Sequence, residues 1–453
     1  MTAQFGERQL GEGELLAGLA RALERVGMGK PEGLRRLTGG ATMESWRFSS
    51  GGEDYVLRRA PSLEFIEDRP YGHATEAAII EAVRAAGVTA PEVVTVLEES
   101  DGIGSGFVMR ALPGTPNPKE ILAMEGAETI LREAARDLAR IHSVNRADVP
   151  ADVPVMNYRE AIAGLREQFE EAGGDRPIIA LGLKWMEDNC PDPVEPVLIH
   201  GDYRMGNILA EDGHLTGVLD WELAHFGDPH EDLAFGCMAV WRFARYDRPA
   251  LGLGALVDYF SAYEAESGRT VDRERFRYWL IHRTVWWAMG CLGCAKSWRE
   301  GSDRSLERAV ISRRTSEQEL DLLMLLEESA PEAERARAVD VSRPFPPHGE
   351  ASAGELATAI SEWLATIKDQ MQGHDRFQLA VARNALGMIA RDHAFMPRDT
   401  DLELADRLIR GELSLQTEGL LAELRSRALE KLEVDIPRYP ALEVAQNKWT
   451  GED

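Results

Sequence analysis

Two acidic residues and an asparagine, spaced behind short apolar runs, are the residues of this chain best suited to chemistry. Asp202 follows the apolar stretch 197–199, Asn207 comes five positions later, and Asp220 ends the next apolar stretch. Protein-kinase catalytic loops have the same spacing from Asp to Asn and place a metal-binding Asp on the following strand. The pattern therefore predicts phosphoryl transfer, in which one carboxylate accepts the proton of the attacking hydroxyl while an amide oxygen and a second carboxylate hold Mg²⁺.

The surrounding residues carry a family resemblance. They are His200-Gly201-Asp202-Tyr203-Arg204-Met205-Gly206-Asn207, Asp220-Trp221-Glu222, Gly227-Asp228-Pro229 and Asp232-Leu233-Ala234. Over roughly its first three quarters the chain resembles the aminoglycoside phosphotransferase and choline kinase-like family, and within it the branch associated with acyl-CoA dehydrogenases. The resemblance implies an α+β, bilobal protein kinase-like fold with an antiparallel β N-lobe and a mainly helical C-lobe. It also implies ATP with Mg²⁺ and a small-molecule hydroxyl as acceptor.

The catalytic segment supplies the predicted base and metal ligands. Asp202 is predicted to be the general base, and Arg204 either stabilises the transferred phosphate or packs inside the loop. Asn207 and Asp220 are the predicted metal ligands, because Mg²⁺ prefers oxygen donors. Glu222 is added to the metal set, where it makes a water-mediated contact or positions the substrate.

A strand and a helix nearer the N-terminus supply the predicted partners of the nucleotide phosphates. Arg58 lies on the strand predicted for 55–59, at the position where kinases carry a lysine. A guanidinium can replace that charge but not its geometry. The branch that the chain resembles also has this arginine. Glu76, near the start of the helix predicted for 73–86, is expected to orient the Arg58 cation, with Glu81 as the alternative.

The nucleotide is expected to lie between a glycine turn and a hinge. Gly39 and Gly40 join two predicted strands, and glycines let backbone N–H groups approach phosphates closely. Taken alone, the two glycines are better explained by an ordinary β-turn. Met109 and Ala111 end the strand predicted for 103–112 and are expected to meet the adenine through their backbone, a placement that rests on chain order.

Structural roles are predicted for the remaining motif residues. His200 is expected to buttress the loop by hydrogen bonds, Asp232 to tie it to the helical lobe, and His142 to be structural. Cys291 and Cys294 form a Cys-x-x-Cys motif without a second pair of cysteines. This spacing in isolation favours a buried helical pair over a metal or redox site.

Composition argues against several classes of protein. The chain has 453 residues, with 51 basic and 77 acidic residues and a formal charge of −26. This acidic balance argues against nucleic-acid binding, which needs a basic surface. Four cysteines do not make a disulfide framework, no apolar run is long enough for a bilayer, and no leader is recognised. A reducing cytoplasm is therefore the expected compartment.

Breaks in periodicity divide the chain into four predicted parts. Residues 1–112 are predicted to form the kinase-like N-lobe, 113–330 the helical C-lobe with the catalytic loop, and 331–353 a linker that contains several prolines. Residues 354–453 are predicted to be an additional C-terminal all-α bundle, separable from the kinase portion. Its predicted helices are 355–371, 375–394, 401–410 and 417–432.

Three functions remain open at the level of the sequence. The branch resemblance favours a small-molecule kinase acting on a hydroxyacyl-CoA or a hydroxy acid. An antibiotic kinase is the alternative, because aminoglycoside-directed members need acidic pockets for cationic sugars. A pseudokinase that binds nucleotide without turnover is the third: Asp202, Asn207 and Asp220 argue against it, whereas Arg58 leaves room for it. The sequence leaves a homodimer open, and neither nucleic acid nor a membrane is an expected partner.

Overall fold

A computed structural model describes residues 10–37, 43–60, 69–341, 351–395, 397 and 400–450 of the chain. Its residues cluster into two units. Unit 1 comprises Met1–Met156, Val194–Gly236 and Leu253–Val271, and unit 2 comprises Asn157–Pro193, Cys237–Gly252 and Asp272–Asp453. Each unit is therefore assembled from three separate stretches of the chain.

Short strands and helices alternate through the first half of the described residues, and helices follow. The strands are β1 (Glu32–Arg36), β2 (Glu44–Ser50), β3 (Glu53–Ala60), β4 (Val93–Val96), β5 (Ser105–Arg110), β6 (Val197–Ile199), β7 (Ile208–Glu211), β8 (His214–Val218) and β9 (His225–Gly227). The helices are α1 (Glu12–Arg25), α2 (His73–Ala85), α3 (Pro118–Ala123), α4 (Ala127–Ile141), α5 (Tyr158–Glu171), α6 (Pro177–Asp188), α7 (Pro229–Phe235), α8 (Leu256–Ser267), α9 (Arg273–Glu300), α10 (Leu306–Ser312), α11 (Thr315–Leu326), α12 (Glu332–Arg335), α13 (Ala353–Thr366), α14 (Gly373–Phe395), α15 (Leu402–Ile409), α16 (Leu420–Asp435) and α17 (Pro440–Thr450).

The first five strands form an antiparallel sheet in unit 1, in the order β1-β2-β3-β5-β4. Side chains alternate between the two faces of a strand. Leu57 is therefore buried in a core with Leu19 of α1, while Val56 and Arg58 lie on the opposite face of β3. This alternation delivers Arg58 to the face of the sheet that carries the candidate site.

The β7–β8 hairpin connects the two halves of the catalytic segment. Asp212 and Gly213 form its turn, with φ angles of 50° and 80°. A two-residue turn with positive φ at both positions matches the right-handed twist of the strands that it joins. The turn that the sequence predicts here is confirmed.

Helix α4 supports the catalytic segment from within unit 1. Its buried face includes Ile130, Leu131 and Leu138, and it packs against α8. Tyr203 of the catalytic segment is fully buried, and its hydroxyl donates a hydrogen bond to the carbonyl of Ala134 at 2.9 Å. The segment is thereby anchored to a helix through a side chain that does not face the site.

Unit 2 is built from helices. Helix α11 packs against α6, α9, α16 and α17, and Cys291 and Cys294 are buried on α9 as the sequence predicts. The helices predicted beyond residue 354 are present as α13 to α16, and α17 follows them. No helix in the described residues is long and apolar enough to cross a membrane.

The linker predicted at 331–353 stays a prediction, and residues 342–350 of it lie outside the described residues. Helices from both sides of it belong to unit 2 and share a buried carboxylate. Glu327, just after α11, is 1% exposed and accepts hydrogen bonds from Arg425 of α16 and from Nε1 of Trp449 of α17. Removing the last helices would therefore leave the buried Glu327 carboxylate without these two hydrogen-bond donors.

Replacing Glu327 by glutamine is expected to lower the free energy of unfolding of the full chain by about 3 kcal/mol, because it leaves the buried Arg425 without its counter-charge. Urea denaturation measures this loss. Glu328→Gln is the matched control, since the Glu328 side chain is 70% exposed. An unfolding transition of Glu327→Gln that coincides with that of the control would show that the contact adds nothing, as expected for a separable bundle.

Candidate active site

The predicted base and metal ligands of the catalytic segment lie together in unit 1. The amide Nδ2 of Asn207 donates to Oδ2 of Asp202 at 2.6 Å and to its main-chain oxygen at 3.0 Å. Arg204 donates to both carboxylate oxygens of Asp202, through Nε at 2.8 Å and Nη2 at 3.2 Å. The Asp202 carboxylate is therefore held from two sides.

Hydrogen bonds from outside the segment fix its backbone. The carboxylate of Asp232, on α7, accepts from the N–H of His200 at 2.6 Å and from that of Gly201 at 2.8 Å. Burial alone would raise the pKa of Asp232, but hydrogen bonds, first that of His142, hold this pKa below its usual value. Asp232 thus acts as a charged clamp on the segment, the tie that the sequence predicts for it.

His200 links the segment to the strand end that carries Asp220. Its Nδ1 accepts from the N–H of Asp202 at 3.2 Å, so the other ring nitrogen carries the proton, and Nε2 donates to the carbonyl of Leu219 at 3.0 Å. Gly201 has a φ of 82°, and a Cβ there would lie 2.4 Å from the Leu223 oxygen. The tight approach of the two loops therefore requires glycine at this position.

Asp220 sits on a strained backbone. Its φ of 70° lies in the left-handed region, which residues other than glycine seldom adopt. Such conformations persist where the surrounding structure imposes them, and they cluster at functional sites. Here the conformation presents the carboxylate to the guanidinium of Arg58, whose Nη2 is 2.5 Å from Oδ1 of Asp220.

Arg58 contacts three carboxylates of the candidate site. Besides Asp220, its Nη2 lies 2.9 Å from Oε2 of Glu222, and its Nε lies 3.4 Å from Oε1 of Glu76. The structure thus brings together the Arg58–Glu76 pair and the predicted metal ligands Asp220 and Glu222. Glu81, the alternative to Glu76, instead accepts from the backbone N–H of Val93.

Arg69 is a member of the site that the sequence does not reveal. Its Nη2 lies 2.8 Å from Oε2 of Glu222, and its Nη1 lies 4.0 Å from Oε2 of Glu76. Arg69 precedes α2 and belongs to no recognised motif. Its contact with Glu222 spans more than 150 positions of the chain, so no local signal was available to find it.

A cavity of about 320 Å³ opens beside these charges. Arg58, Glu76 and Asp220 are among its charged lining residues, and Met109 and Ala111 of the predicted hinge also line it. Its apolar lining includes Val56, Ile80, Phe107, Leu112, Leu209, Leu219 and Trp221. Gly39 and Gly40, predicted to cover the phosphates, lie outside the described residues.

Four carboxylates lie close together in the candidate site, those of Glu76, Asp202, Asp220 and Glu222. Burial raises the pKa of Glu76 to about 7, although Arg58 opposes this shift. Burial also raises the pKa of Asp202 and that of Glu222, and the nearby Asp220 charge adds to both shifts. Arg58, Arg69 and Arg204 contact these carboxylates, and Arg47 and Arg110 also line the cavity. The mutual repulsion of the carboxylates favours the arrival of a cation.

The oxygen atoms of the predicted metal ligands suit Mg²⁺, but Arg58 occupies part of their coordination positions. Because the nitrogen of Asn207 donates to Asp202, its amide oxygen is left as the atom that would coordinate a metal. Among the described residues, no group of three or more His, Cys, Asp or Glu is arranged to hold a metal ion. The predicted set instead has two carboxylates and one amide, and Arg58 contacts both carboxylates. A metal would therefore displace Arg58 from at least one of them.

Comparisons with known proteins match this part of the chain. The model of the phosphotransferase enzyme family matches residues 33–270. Acyl-CoA dehydrogenase family member 10 of Mus musculus is 29% identical over 235 residues, which are 46% of this chain and 21% of that protein. Hygromycin-B 4-O-kinase of Escherichia coli is 26% identical over 220 residues, which are 44% of this chain and 60% of that protein. The chain thus spans about a fifth of the mouse relative.

A solved structure shares the fold. A protein of Ralstonia eutropha JMP134, provisionally described as an aminoglycoside phosphotransferase, matches with a TM-score of 0.55 and 21% identity over 71% of this chain and 99% of that chain. The predicted α+β kinase-like fold is thereby confirmed. The family match covers more than half of the chain and includes the whole catalytic segment. The chain belongs to the phosphotransferase enzyme family.

Proposed function

We propose that this chain transfers the γ-phosphoryl group of ATP, with Mg²⁺, to a hydroxyl group of a small molecule. The observation that carries the proposal is the Asp202–Asn207 pair, joined at 2.6 Å, in the same unit as Asp220, Arg58 and a 320 Å³ cavity. Positioning and electrostatic stabilisation account for most of the catalysis of phosphoryl transfer. A site of fixed carboxylates and guanidinium groups suits that requirement.

Asp202 is the proposed general base. Its carboxylate would accept a hydrogen bond from the acceptor hydroxyl, orient the oxygen and take the proton as the bond to phosphorus forms. Asn207 and Arg204 restrict the carboxylate to one orientation. Arg204 also places a positive charge beside it, which suits the stabilisation of a transferred phosphate.

Asn207 and Asp220 are the proposed metal ligands, with Glu222 beside them. A bound Mg²⁺ would neutralise phosphate charge during transfer. Arg58 would turn from Asp220 toward the phosphates, and Glu76 would keep it oriented through its contact at 3.4 Å. The apolar part of the cavity, with Met109 and Ala111, would receive the adenine.

The proposed acceptor is a hydroxyacyl-CoA or a hydroxy acid. It is supported by the similarity to proteins named as acyl-CoA dehydrogenase family members. An antibiotic acceptor is the second candidate, and the similarity to hygromycin-B 4-O-kinase favours it. The two candidates differ in charge, since CoA thioesters are anionic and aminoglycosides cationic, so a panel of acceptors separates them.

The test is ATP consumption with hydroxyacyl-CoAs, free hydroxy acids and hygromycin B, with the mass of each product measured. We expect one class of acceptor to gain the mass of a phosphoryl group in the presence of Mg²⁺. A phosphorylated aminoglycoside would select the second candidate. Binding of ATP without a product from any acceptor would instead support a pseudokinase and contradict the proposal.

Arg58→Lys is expected to raise the KM for ATP and slow transfer by about tenfold, because one ammonium group cannot reproduce the directed contacts of a guanidinium. Steady-state kinetics with varied ATP measure both effects. Arg36→Lys is the control, since the Arg36 side chain is 58% exposed on β1. Kinetics identical to those of the unmodified chain would mean that Arg58 acts only as a point charge.

A further inference from the structure

Two guanidinium groups share one carboxylate oxygen in the candidate site. Oε2 of Glu222 lies 2.9 Å from Nη2 of Arg58 and 2.8 Å from Nη2 of Arg69. Glu76 is likewise flanked by both arginines, at 3.4 Å and 4.0 Å. The side chains of Arg58 and Arg69 are 13% and 16% exposed, so water screens these contacts only partly.

Arg58 and Arg69 make different contacts, which indicates that their roles differ. Arg58 alone reaches Asp220, which is the proposed metal ligand, and it lines the cavity. Arg69 contacts Glu222 and Glu76 but is not among the residues that line that cavity. When Arg58 turns from Asp220 toward a phosphate and stays oriented by Glu76, a second cation held against Glu222 keeps that carboxylate paired. Arg69 is placed to be that cation.

We infer that Arg69 is a positioning residue that holds Glu222 and Glu76, and thereby releases Arg58 to bind the nucleotide phosphates. The inference rests on the proposed function for the identity of the ligand. The ion pair of Arg69 and Glu222 holds the same carboxylate oxygen, Oε2, that Arg58 contacts. Arg58 therefore does not have to neutralise Glu222 alone when metal and phosphate enter.

Removing the charge of Arg69 is expected to lower the affinity for nucleotide and to raise the affinity for a divalent cation. Without it, Arg58 is the one described basic residue left in an ion pair with Glu222 and Glu76, so it stays on the carboxylates and nucleotide affinity falls by about tenfold. The site also loses one positive charge, so its affinity for a divalent cation without nucleotide rises by about fivefold. A residue that merely stabilised the fold would weaken both ligands together.

The experiment measures binding of Mn²⁺ alone and of a Mg²⁺-bound, non-hydrolysable ATP analogue by calorimetry. The variants are Arg69→Gln, Glu222→Gln and the double variant, with Arg84→Gln as the matched control. Arg84 is exposed on α2, the helix that carries Glu76, and its replacement removes the same charge. We expect Arg69→Gln to bind the analogue about tenfold more weakly and Mn²⁺ more tightly, with Arg84→Gln unchanged.

The double variant decides whether Arg69 acts through Glu222. We expect the effect of Arg69→Gln on the analogue to fall below about twofold once Glu222 is glutamine. A full tenfold loss in that background, or parallel losses for both ligands, would overturn the inference. So would a wild-type chain that does not bind the analogue. Binding with the expected coupling but without phosphoryl transfer to any acceptor would overturn the proposed function alone.

Discussion

Replacing Asp202 by asparagine is expected to lower the rate of phosphoryl transfer by about 10²–10⁴-fold, the range that general acid–base residues contribute. Asparagine keeps the shape of the side chain but cannot take the proton of the acceptor hydroxyl. It also has one acceptor oxygen, whereas the carboxylate of Asp202 receives hydrogen bonds from Asn207 and Arg204 on both of its oxygens. The proposed metal ligands are unchanged, so affinity for Mg²⁺-ATP should be nearly retained.

Single-turnover kinetics at saturating ATP measure this effect separately from binding. Asp212→Asn is the matched control, because Asp212 lies in the turn of the β7–β8 hairpin, which continues the same segment. Its φ of 50° suits asparagine. Turnover of Asp202→Asn within about threefold of the control would remove Asp202 from the role of base.

Asp220→Asn is expected to weaken binding of Mg²⁺-ATP by at least about 100-fold. Loss of a residue that only supports metal ligands already costs about 10–100-fold in affinity, so loss of a direct ligand should lie at or above that range. Asparagine is chosen because it tolerates left-handed backbone better than other residues, and Asp220 has a φ of 70°. The fold should therefore persist while the charge is removed.

Calorimetry with the Mg²⁺-bound ATP analogue tests this expectation. Asp202→Asn should bind the analogue almost as well as the unmodified chain, and Asp220→Asn should not. Asp212→Asn again serves as control, since it makes the same chemical change at another residue with positive φ. Equal affinities of Asp220→Asn and the control would exclude Asp220 as a metal ligand.

The core of the candidate site could be predicted because its signals are local. Asp202 and Asn207 lie within six residues of each other, and Asp220 follows one hairpin later, so chain connectivity alone brings them close. Arg58 follows from the position of the strand lysine in kinases, and the alternation of side chains puts it on one face with Val56. The pairing of Arg58 with Glu76 needed the order of strand and helix that kinase-like folds share.

The contacts that were missed depend on distant parts of the chain. Arg69 meets Glu222 because the loop after Asp220 lies against the segment before α2, where the Tyr71 hydroxyl donates to the carbonyl of Trp221 at 2.8 Å. Sequence periodicity does not report such a contact. The φ of Asp220 is imposed by its surroundings, since aspartate by itself does not prefer it. In the sequence, nothing distinguishes Arg69 from an arginine on the surface of a folded chain.

The packing of the last helices also depends on contacts between distant parts of the chain. Prolines and a charged stretch mark 331–353 as irregular, and sequence periodicity finds the helices beyond it. Periodicity does not report which helix faces pair. The contact of Arg425 with Glu327 joins residues nearly a hundred positions apart, so an irregular stretch alone cannot tell a linker from a loop.

The most direct test of the proposed activity follows the fate of the γ-phosphoryl group by phosphorus NMR, using the best acceptor of the panel. The proposed function predicts that ATP is converted to ADP as one equivalent of a new phosphate monoester appears. This conversion should require Mg²⁺, and Asp202→Asn should slow it at least about 100-fold. Release of inorganic phosphate at the same rate with and without acceptor, or equal monoester formation by Asp202→Asn, would contradict it.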